Sequence, residues 1–119
     1  MPYQFGNQTV QLSQEPRNLN GPVYAPLRDV IEQLGGKITW DNASKTAGAT
    51  LKGRHARIPN DSNTFEVDGQ QVNMSVPTLF LEEQVWVPIE FFGLAFGVPA
   101  YAEAGNLVRL DTGSMAMAA

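Results

Sequence analysis

The chain has 119 residues and a mass of 13.0 kDa, enough for one domain with one modest core. Its formal charge of -4 and its scattered Lys and Arg residues leave no basic face, so we expect no nucleic-acid partner. It has no Cys, which excludes disulfides and Cys-ligated zinc, and no apolar run approaches the roughly 20 residues that span a bilayer.

The chain opens with a hairpin signal, because Phe5-Gly6-Asn7-Gln8 places Gly-Asn between alternating apolar segments. Val67-Asp68-Gly69-Gln70 gives the same signal, and Lys52-Gly53 marks a further turn. Six segments alternate apolar and polar residues as half-buried strands do. They are 38–40, 49–51, 56–58, 65–67, 72–74 and 107–110.

Two segments share one pattern: residues 23–35 and 85–97 align without a gap at an offset of 62. Each has Val, an aromatic residue, Pro and an aliphatic residue in register, with Gly nine residues after the Pro. Pro suits a helix start and Gly a left-handed helix end. We predict helices near 27–34 and 89–96, and Gly93 could let another element approach the second one closely. The shared pattern indicates a duplicated unit.

The string Val23-Tyr24-Ala25-Pro26-Leu27-Arg28, followed by residues 34–42, resembles the copper amine oxidase N-terminal-like, or stalk, domain family. A second copy of the motif occupies residues 85–90, and the resemblance spans about residues 3–111. It implies a compact domain of exported or wall-associated bacterial proteins, without catalytic residues. The sequence departs from the family pattern at Glu90, which replaces an Arg, and at residues 100–103, which lack a Trp-Asp pair.

These observations predict the α+β class: short, mainly antiparallel strands with two short helices, built from a duplicated strand–helix–strand unit. We expect one domain over residues 1–111, with repeats at about 23–51 and 85–110. Residues 112–119 are expected to form a flexible tail.

The sequence offers no convincing catalytic or metal site. Its one His is His55, which we expect on a strand surface, and copper needs several converging His, Met or Cys ligands. The Ser residues lack a G-x-S-x-G elbow, and the candidate acid pairs lie in or beside expected turns. We therefore predict that the chain is not an enzyme and binds no metal or cofactor.

Aromatic residues supply the candidate contacts. Tyr24 and Trp86 hold equivalent positions in the two repeats, which favours a shared packing role in the core. Trp40, beside the Asp41-Asn42 turn, is the candidate contact residue. Arg28 is a second candidate, although pairing with Glu32 four residues on is the simpler expectation.

The first functional hypothesis is a non-catalytic extracytoplasmic module, secreted or in the cell envelope, that spaces a partner domain or binds a cell-wall polymer or a partner protein. The chain begins without a signal peptide, which suits a mature or excised domain. An alternative is a homo-oligomer that associates through an open strand edge or through an exposed part of the Phe91-Phe92 region. A small enzyme or an enzyme inhibitor is a third, weaker alternative.

Overall fold

The computed structural model describes residues 3–6, 8–12, 14–18, 22–103 and 107–111. The predicted tail, residues 112–119, lies outside this set. The described elements, in chain order, are β1 (Tyr3–Phe5), β2 (Gln8–Val10), β3 (Arg17–Asn18), β4 (Val23–Pro26), α1 (Leu27–Gln33), β5 (Lys37–Asp41), β6 (Thr46–Leu51), β7 (Arg54–Pro59), β8 (Thr64–Val67), β9 (Gln70–Asn73), β10 (Leu79–Leu81), β11 (Gln84–Pro88), α2 (Glu90–Phe96), β12 (Ala100–Glu103) and β13 (Leu107–Leu110).

A four-stranded sheet, ordered β10-β11-β4-β3, brings the two predicted repeats together. Strands β4 and β11 pair antiparallel, with Tyr24 opposite Pro88, Ala25 opposite Val87 and Pro26 opposite Trp86. The register is symmetric about the Ala25–Val87 pair, because the aromatic residue of each motif lies opposite the Pro of the other motif. The strands carry their motifs into the fold side by side, and a helix follows each.

A five-stranded antiparallel sheet follows α1, in the order β5-β6-β7-β8-β9. Two of its turns are the predicted ones: Lys52-Gly53 joins β6 to β7, and Asp68-Gly69 joins β8 to β9. All four turn residues have positive φ, from 50° to 87°. Two-residue hairpin turns need this conformation in order to match the twist of the strands.

The third sheet, ordered β12-β13-β1-β2, joins the two ends of the described chain. The predicted hairpin at Phe5–Gln8 is confirmed, since β1 pairs antiparallel with β2. On its other side β1 pairs parallel with β13, with Tyr3 opposite Val108. Of the described strand pairs this is the parallel one, and the others are antiparallel.

Both predicted helices are confirmed, and both end at the predicted glycines. After α1, Gly35 has φ 93°, its N–H bonds Glu32 O, and the Gly36 N–H bonds Ile31 O, which together form a Schellman motif. Gly97 is left-handed at the end of α2, with φ 70°. The two short helices and mostly antiparallel strands agree with the α+β class.

The expected role of Gly93 is wrong. A Cβ added there would lie 3.6 Å from the Pro99 Cα, an ordinary van der Waals distance, so the neighbouring chain leaves room for a methyl group. No close approach requires a glycine at this position of α2.

One apolar cluster contains most of the core of the described residues, and α2 contributes four of its side chains: Phe91, Phe92, Ala95 and Phe96. Phe91 and Phe92 are fully buried, and the Phe91 ring contacts those of Phe65, Phe92 and Phe96. The expectation that the Phe91-Phe92 region is partly exposed is therefore wrong, because both rings point into the core.

The core role predicted for Tyr24 and Trp86 is confirmed by their burial. Each also satisfies its polar atom: the Tyr24 hydroxyl donates to Pro77 O at 2.7 Å, and Trp86 Nε1 donates to Leu81 O at 3.2 Å. The Arg17 guanidinium lies 4.7 Å from the centre of the Trp86 ring. A buried Tyr hydroxyl or Trp N–H needs a hydrogen-bond acceptor, and the two carbonyl oxygens supply it.

Candidate functional site

A cleft of about 190 Å³ lies between the start of α1, strand β5 and the β10–β11 hairpin. Most of its lining is apolar, and its polar side chains come from α1, from β5 and from the hairpin. The residues that line it are Leu27, Arg28, Ile38, Thr39, Trp40, Ala47, Phe80, Glu83, Gln84 and Val85.

Two aromatic rings from different sheets form one wall of the cleft. Trp40 projects from β5 and Phe80 from β10, and their rings stack with centroids 5.6 Å apart and an interplanar angle of 24°. Trp40 is half-buried, while Phe80 is 43% exposed. Trp40 also packs against the core, so the exposed aromatic surface of the pair comes mainly from Phe80.

The cleft lining has two residues of opposite charge, Arg28 and Glu83. The Arg28 guanidinium bonds the Glu32 carboxylate one helical turn away at 3.5 Å, so the predicted pair is confirmed. Both side chains are 53% exposed, and such a pair holds the guanidinium only weakly. Arg28 can therefore turn towards a ligand, and Glu83 supplies an acceptor from the hairpin.

Gln84 lines the cleft, and its side chain has an unsatisfied polar atom just beneath the surface. Its Oε1 atom is buried, and no described residue donates a hydrogen bond to it. A buried acceptor without a donor costs free energy, on the order of 1–3 kcal/mol. Because the Oε1 atom has almost no accessible surface, a ligand in the cleft can donate a hydrogen bond to it only after the Gln84 side chain turns outward.

The β10–β11 turn that positions Phe80 and Gln84 has an unusual sequence. Glu82 and Glu83 both have positive φ, 53° and 63°, which normally favours Gly, Asn or Asp. Glu82 also bonds Arg17 at 2.6 Å, and Arg17 covers the Trp86 ring. This ion pair ties the turn to β3, at the other edge of the same sheet, and so helps to hold one wall of the cleft.

On the other side of the cleft, the turn after β5 is held by Asp41. Its carboxylate accepts hydrogen bonds from the Ser44 side chain and from the Ala43 N–H, at 3.0 Å in the second case. Those bonds, with the Ser44 bond largest, hold the pKa of Asp41 below its usual value. Asp41 therefore stays ionised at the end of β5, directly after Trp40.

Both predicted contact residues, Trp40 and Arg28, line this one cleft, although nothing in the structure tests whether they bind a partner. The sequence analysis missed Phe80 and Gln84, and it considered Glu83 only as an acid in or beside an expected turn. Leu79–Leu81 is an uninterrupted apolar triplet without alternation, and Glu82-Glu83 is not a turn sequence, so no local signal identified this hairpin.

The other residues considered in the sequence analysis make contacts that suit a structural role. His55 is exposed on β7, as predicted, and its Nδ1 lies 3.1 Å from Thr50 Oγ1. Glu90, which departs from the family pattern, accepts hydrogen bonds from the Ser75 N–H and hydroxyl and so holds the loop before β10. Within the described residues, no group of three His, Cys, Asp or Glu side chains could hold a metal ion.

No helix among the described residues has the length and apolar character needed to cross a membrane. The fold and the cleft together define a small α+β domain with two short helices, whose side cleft is lined by an aromatic pair.

The comparison with protein families identifies that domain. The model of the copper amine oxidase N-terminal domain matches residues 4–109, and the chain belongs to this family. The resemblance seen in the sequence is thereby confirmed. In this family the domain is a non-catalytic accessory domain. A comparison with curated proteins found no match.

Proposed function

We propose that this chain is a non-catalytic binding module of an exported or envelope-associated protein, and that it binds a cell-wall glycan in the Trp40–Phe80 cleft. One observation carries the proposal: the cleft combines a partly exposed aromatic pair with a buried acceptor that has no donor among the described residues.

The lining matches the chemistry of a sugar ring. A sugar has a face of C–H groups, which packs on an aromatic ring, and a rim of hydroxyls, which both donate and accept hydrogen bonds. The Gln84 and Glu83 oxygens would accept from hydroxyls, and Arg28 would donate to them. A volume of about 190 Å³ is below the range of about 300–1,000 Å³ for drug-sized ligands, which suits a single ring.

The charge of the cleft favours a neutral sugar over an anionic polymer. Arg28 and Glu83 carry opposite charges, and the chain as a whole is at -4. A strongly anionic ligand would be repelled by the Glu83 carboxylate and by the net negative charge of the chain.

The family supports both the absence of catalysis and the accessory role. Because the matched domain is a non-catalytic accessory domain, we propose that this chain has no enzymatic activity and either recruits a wall polymer for an attached domain or spaces that domain. Extracytoplasmic localisation follows from the same proposal. Cell fractionation with an antibody against the chain tests it, and recovery in the cytosolic fraction would contradict it.

The duplication is also proposed, on the symmetric β4–β11 register and on the helix that follows each strand. Superposition of residues 23–51 on residues 85–110 in an experimental structure tests it. The strand, the helix and the following strand pair should coincide, whereas helices that leave their strands in different directions would contradict it.

Co-sedimentation of the chain with isolated bacterial cell wall tests glycan binding. We expect the wild-type chain to be retained and Trp40→Ala to lose roughly tenfold or more in affinity, because it removes half of the aromatic pair. Tyr101→Ala is the matched control, since Tyr101 is exposed at 47% and lies outside the cleft lining. Gln84→Leu tests the hydrogen-bonding part separately and should also weaken retention.

Two results would contradict the glycan proposal. Retention that is equal for wild type, Trp40→Ala and Tyr101→Ala would mean that the cleft is not the binding surface. No retention of any variant would exclude the tested wall polymers, and a protein partner would then be the class to pursue.

A further inference from the structure

Strand β5 is an open edge of the five-stranded sheet. It pairs with β6 along its whole length, from Lys37 opposite Thr50 to Asp41 opposite Thr46. On its other side no strand of the described residues pairs with it. An unpaired edge presents backbone N–H and C=O groups that can pair with another chain.

We propose that two copies of the chain pair antiparallel along β5, in a register centred on Thr39. In this register Lys37 lies opposite Asp41 of the second copy, and Asp41 lies opposite Lys37, so two ion pairs form. Thr39 faces its own equivalent, and Ile38 faces Trp40 of the second copy. Opposite charges, Thr–Thr pairs and aromatic–β-branched pairs are the favourable cross-strand pairs of antiparallel sheets.

The positions of these side chains on the strand agree with that register. Lys37, Thr39 and Asp41 are exposed, whereas Ile38 and Trp40 are half-buried on the opposite face. Because directly opposed residues in an antiparallel pair point to the same face, the charged residues meet each other on the exposed face. The apolar residues meet each other on the face towards the core.

The other open edges lack this complementarity. Strands β2, β3 and β10 have three residues or fewer. Strand β9 has four residues and no charge, and on β12 the Glu103 side chain is already paired with Arg109 at 3.2 Å. Of the described edges, β5 is the longest and has a Lys and an Asp placed symmetrically about its centre. The hydrogen-bonded Asp41 carboxylate is also held in place to make the pair.

The pairing does not rest on the proposed glycan binding, although Ile38, Thr39 and Trp40 belong both to β5 and to the cleft lining. It would join two five-stranded sheets into one of ten strands and place the two Trp40 clefts side by side. Edge pairing over five residues buries little area, so we expect a weak, concentration-dependent dimer that high salt dissociates.

Sedimentation equilibrium of the 119-residue chain over a concentration series tests the ion pairs. Lys37→Glu and Asp41→Lys should each weaken dimerisation roughly tenfold or more, because each places like charges opposite each other twice. An equimolar mixture of the two variants should recover association, since positions 37 and 41 of one variant then lie opposite residues of opposite charge in the other. Lys52→Glu, in the exposed β6–β7 turn, is the control with the same charge change as Lys37→Glu.

Cross-linking tests the register itself. The chain has no Cys, so Thr39→Cys introduces a single thiol. Opposed residues of an antiparallel pair have Cα atoms about 4.5–5.5 Å apart, within the range of about 4.4–6.8 Å that a disulfide needs. Mild oxidation should link Thr39→Cys chains into dimers much faster than Lys52→Cys chains.

Three results would overturn the proposal. The first is a monomer at every concentration, and the second is a dimer that Lys37→Glu weakens no more than Lys52→Glu does. The third is equal cross-linking of the two Cys variants. Circular dichroism checks the fold of Asp41→Lys, because Asp41 also holds the following turn; if that variant unfolds, Lys37→Glu and Thr39→Cys still decide the question.

Discussion

Trp86 shows how one side chain can stabilise both the core and the candidate site. The ring is fully buried, its Nε1 donates to Leu81 O, and Arg17 covers one face. Arg17 in turn bonds Glu82 in the turn that carries the cleft wall. Loss of the indole would leave a cavity and would also release Arg17 from its stacking partner.

Trp86→Ala is expected to lower the free energy of unfolding by roughly 3–5 kcal/mol, the usual cost of truncating a buried aromatic residue. Chemical denaturation measured by circular dichroism would show it. Tyr101→Ala, an exposed aromatic truncation, should change the free energy by about 0.5 kcal/mol or less. Equal effects of the two substitutions would contradict the packing role of Trp86.

At the scale of single residues, the sequence was informative where a position repeats. The matching places of Tyr24 and Trp86 in the two motifs identified both as core residues, and the i, i+4 spacing identified the Arg28–Glu32 pair. The unsatisfied Gln84 oxygen could not be foreseen, because it depends on which side chains surround it in space.

At the scale of elements, the glycines of the two helices have different physical roles. Gly35 is left-handed at the end of α1, with open space around the position of a Cβ. Gly93 has an ordinary helical conformation inside α2 and room for a methyl group. An Ala at either position would meet no steric clash. Substitution at Gly35 therefore measures backbone strain alone, and substitution at Gly93 measures helix propensity alone.

Gly35→Ala should destabilise the chain by about 1–2 kcal/mol, because a Cβ is strained in the left-handed region. Gly93→Ala should stabilise it by about 0.5–1 kcal/mol, because Ala loses less conformational entropy than Gly in a helix. Thermal unfolding of the two variants beside the wild type measures both effects. A stabilising Gly35→Ala or a destabilising Gly93→Ala would contradict the assigned conformations.

The hairpin turns differ in how well their residues suit a positive φ. Asp68-Gly69 and Lys52-Gly53 were predicted because glycine has no steric penalty at positive φ. Glu82 and Glu83 were expected only in or beside a turn, without a turn type, because their positive φ opposes the preference of Glu. The Arg17 ion pair and the β10–β11 pairing hold this turn in place, and both are contacts made by the folded chain.

At the scale of the whole molecule, the parallel β1–β13 pair joins residues more than a hundred positions apart. Tyr3 is fully buried in this pair, and its hydroxyl donates to Gln14 O at 2.9 Å. Burial, with smaller contributions from Asp29 and Glu15, raises the pKa of Tyr3 well above its usual value. The folded state therefore keeps this phenol neutral at alkaline pH.

This raised pKa has a definite sign for stability. Below about pH 10, Tyr3 is neutral in both states and its contribution is fully present. Above that pH the unfolded chain ionises first, so the contribution falls as the pH rises towards the folded pKa. Tyr3→Phe should lose about 1 kcal/mol at neutral pH through the missing hydrogen bond.

Denaturant titrations of wild type and Tyr3→Phe at about pH 8 and about pH 11 measure the difference. We expect the stability gap between them to narrow or reverse at the higher pH, because Phe does not ionise. The other tyrosines are the same in both chains, so their contribution to the stability cancels in the comparison. A gap that widens with pH would contradict the buried, neutral state of Tyr3.

The sequence by itself determined the local features: the two helices, three Gly-containing hairpins, six of the strands, the α+β class and the family. These follow from backbone preferences of Pro and Gly and from the period of apolar residues, which act within a few positions. Tertiary structure decided the parallel closure of the chain ends, the β10–β11 hairpin and the cleft. Those features depend on contacts between residues that are distant in the sequence, such as Trp40 with Phe80 and Arg17 with Glu82. Such contacts stabilise the chain only after the sheets have packed.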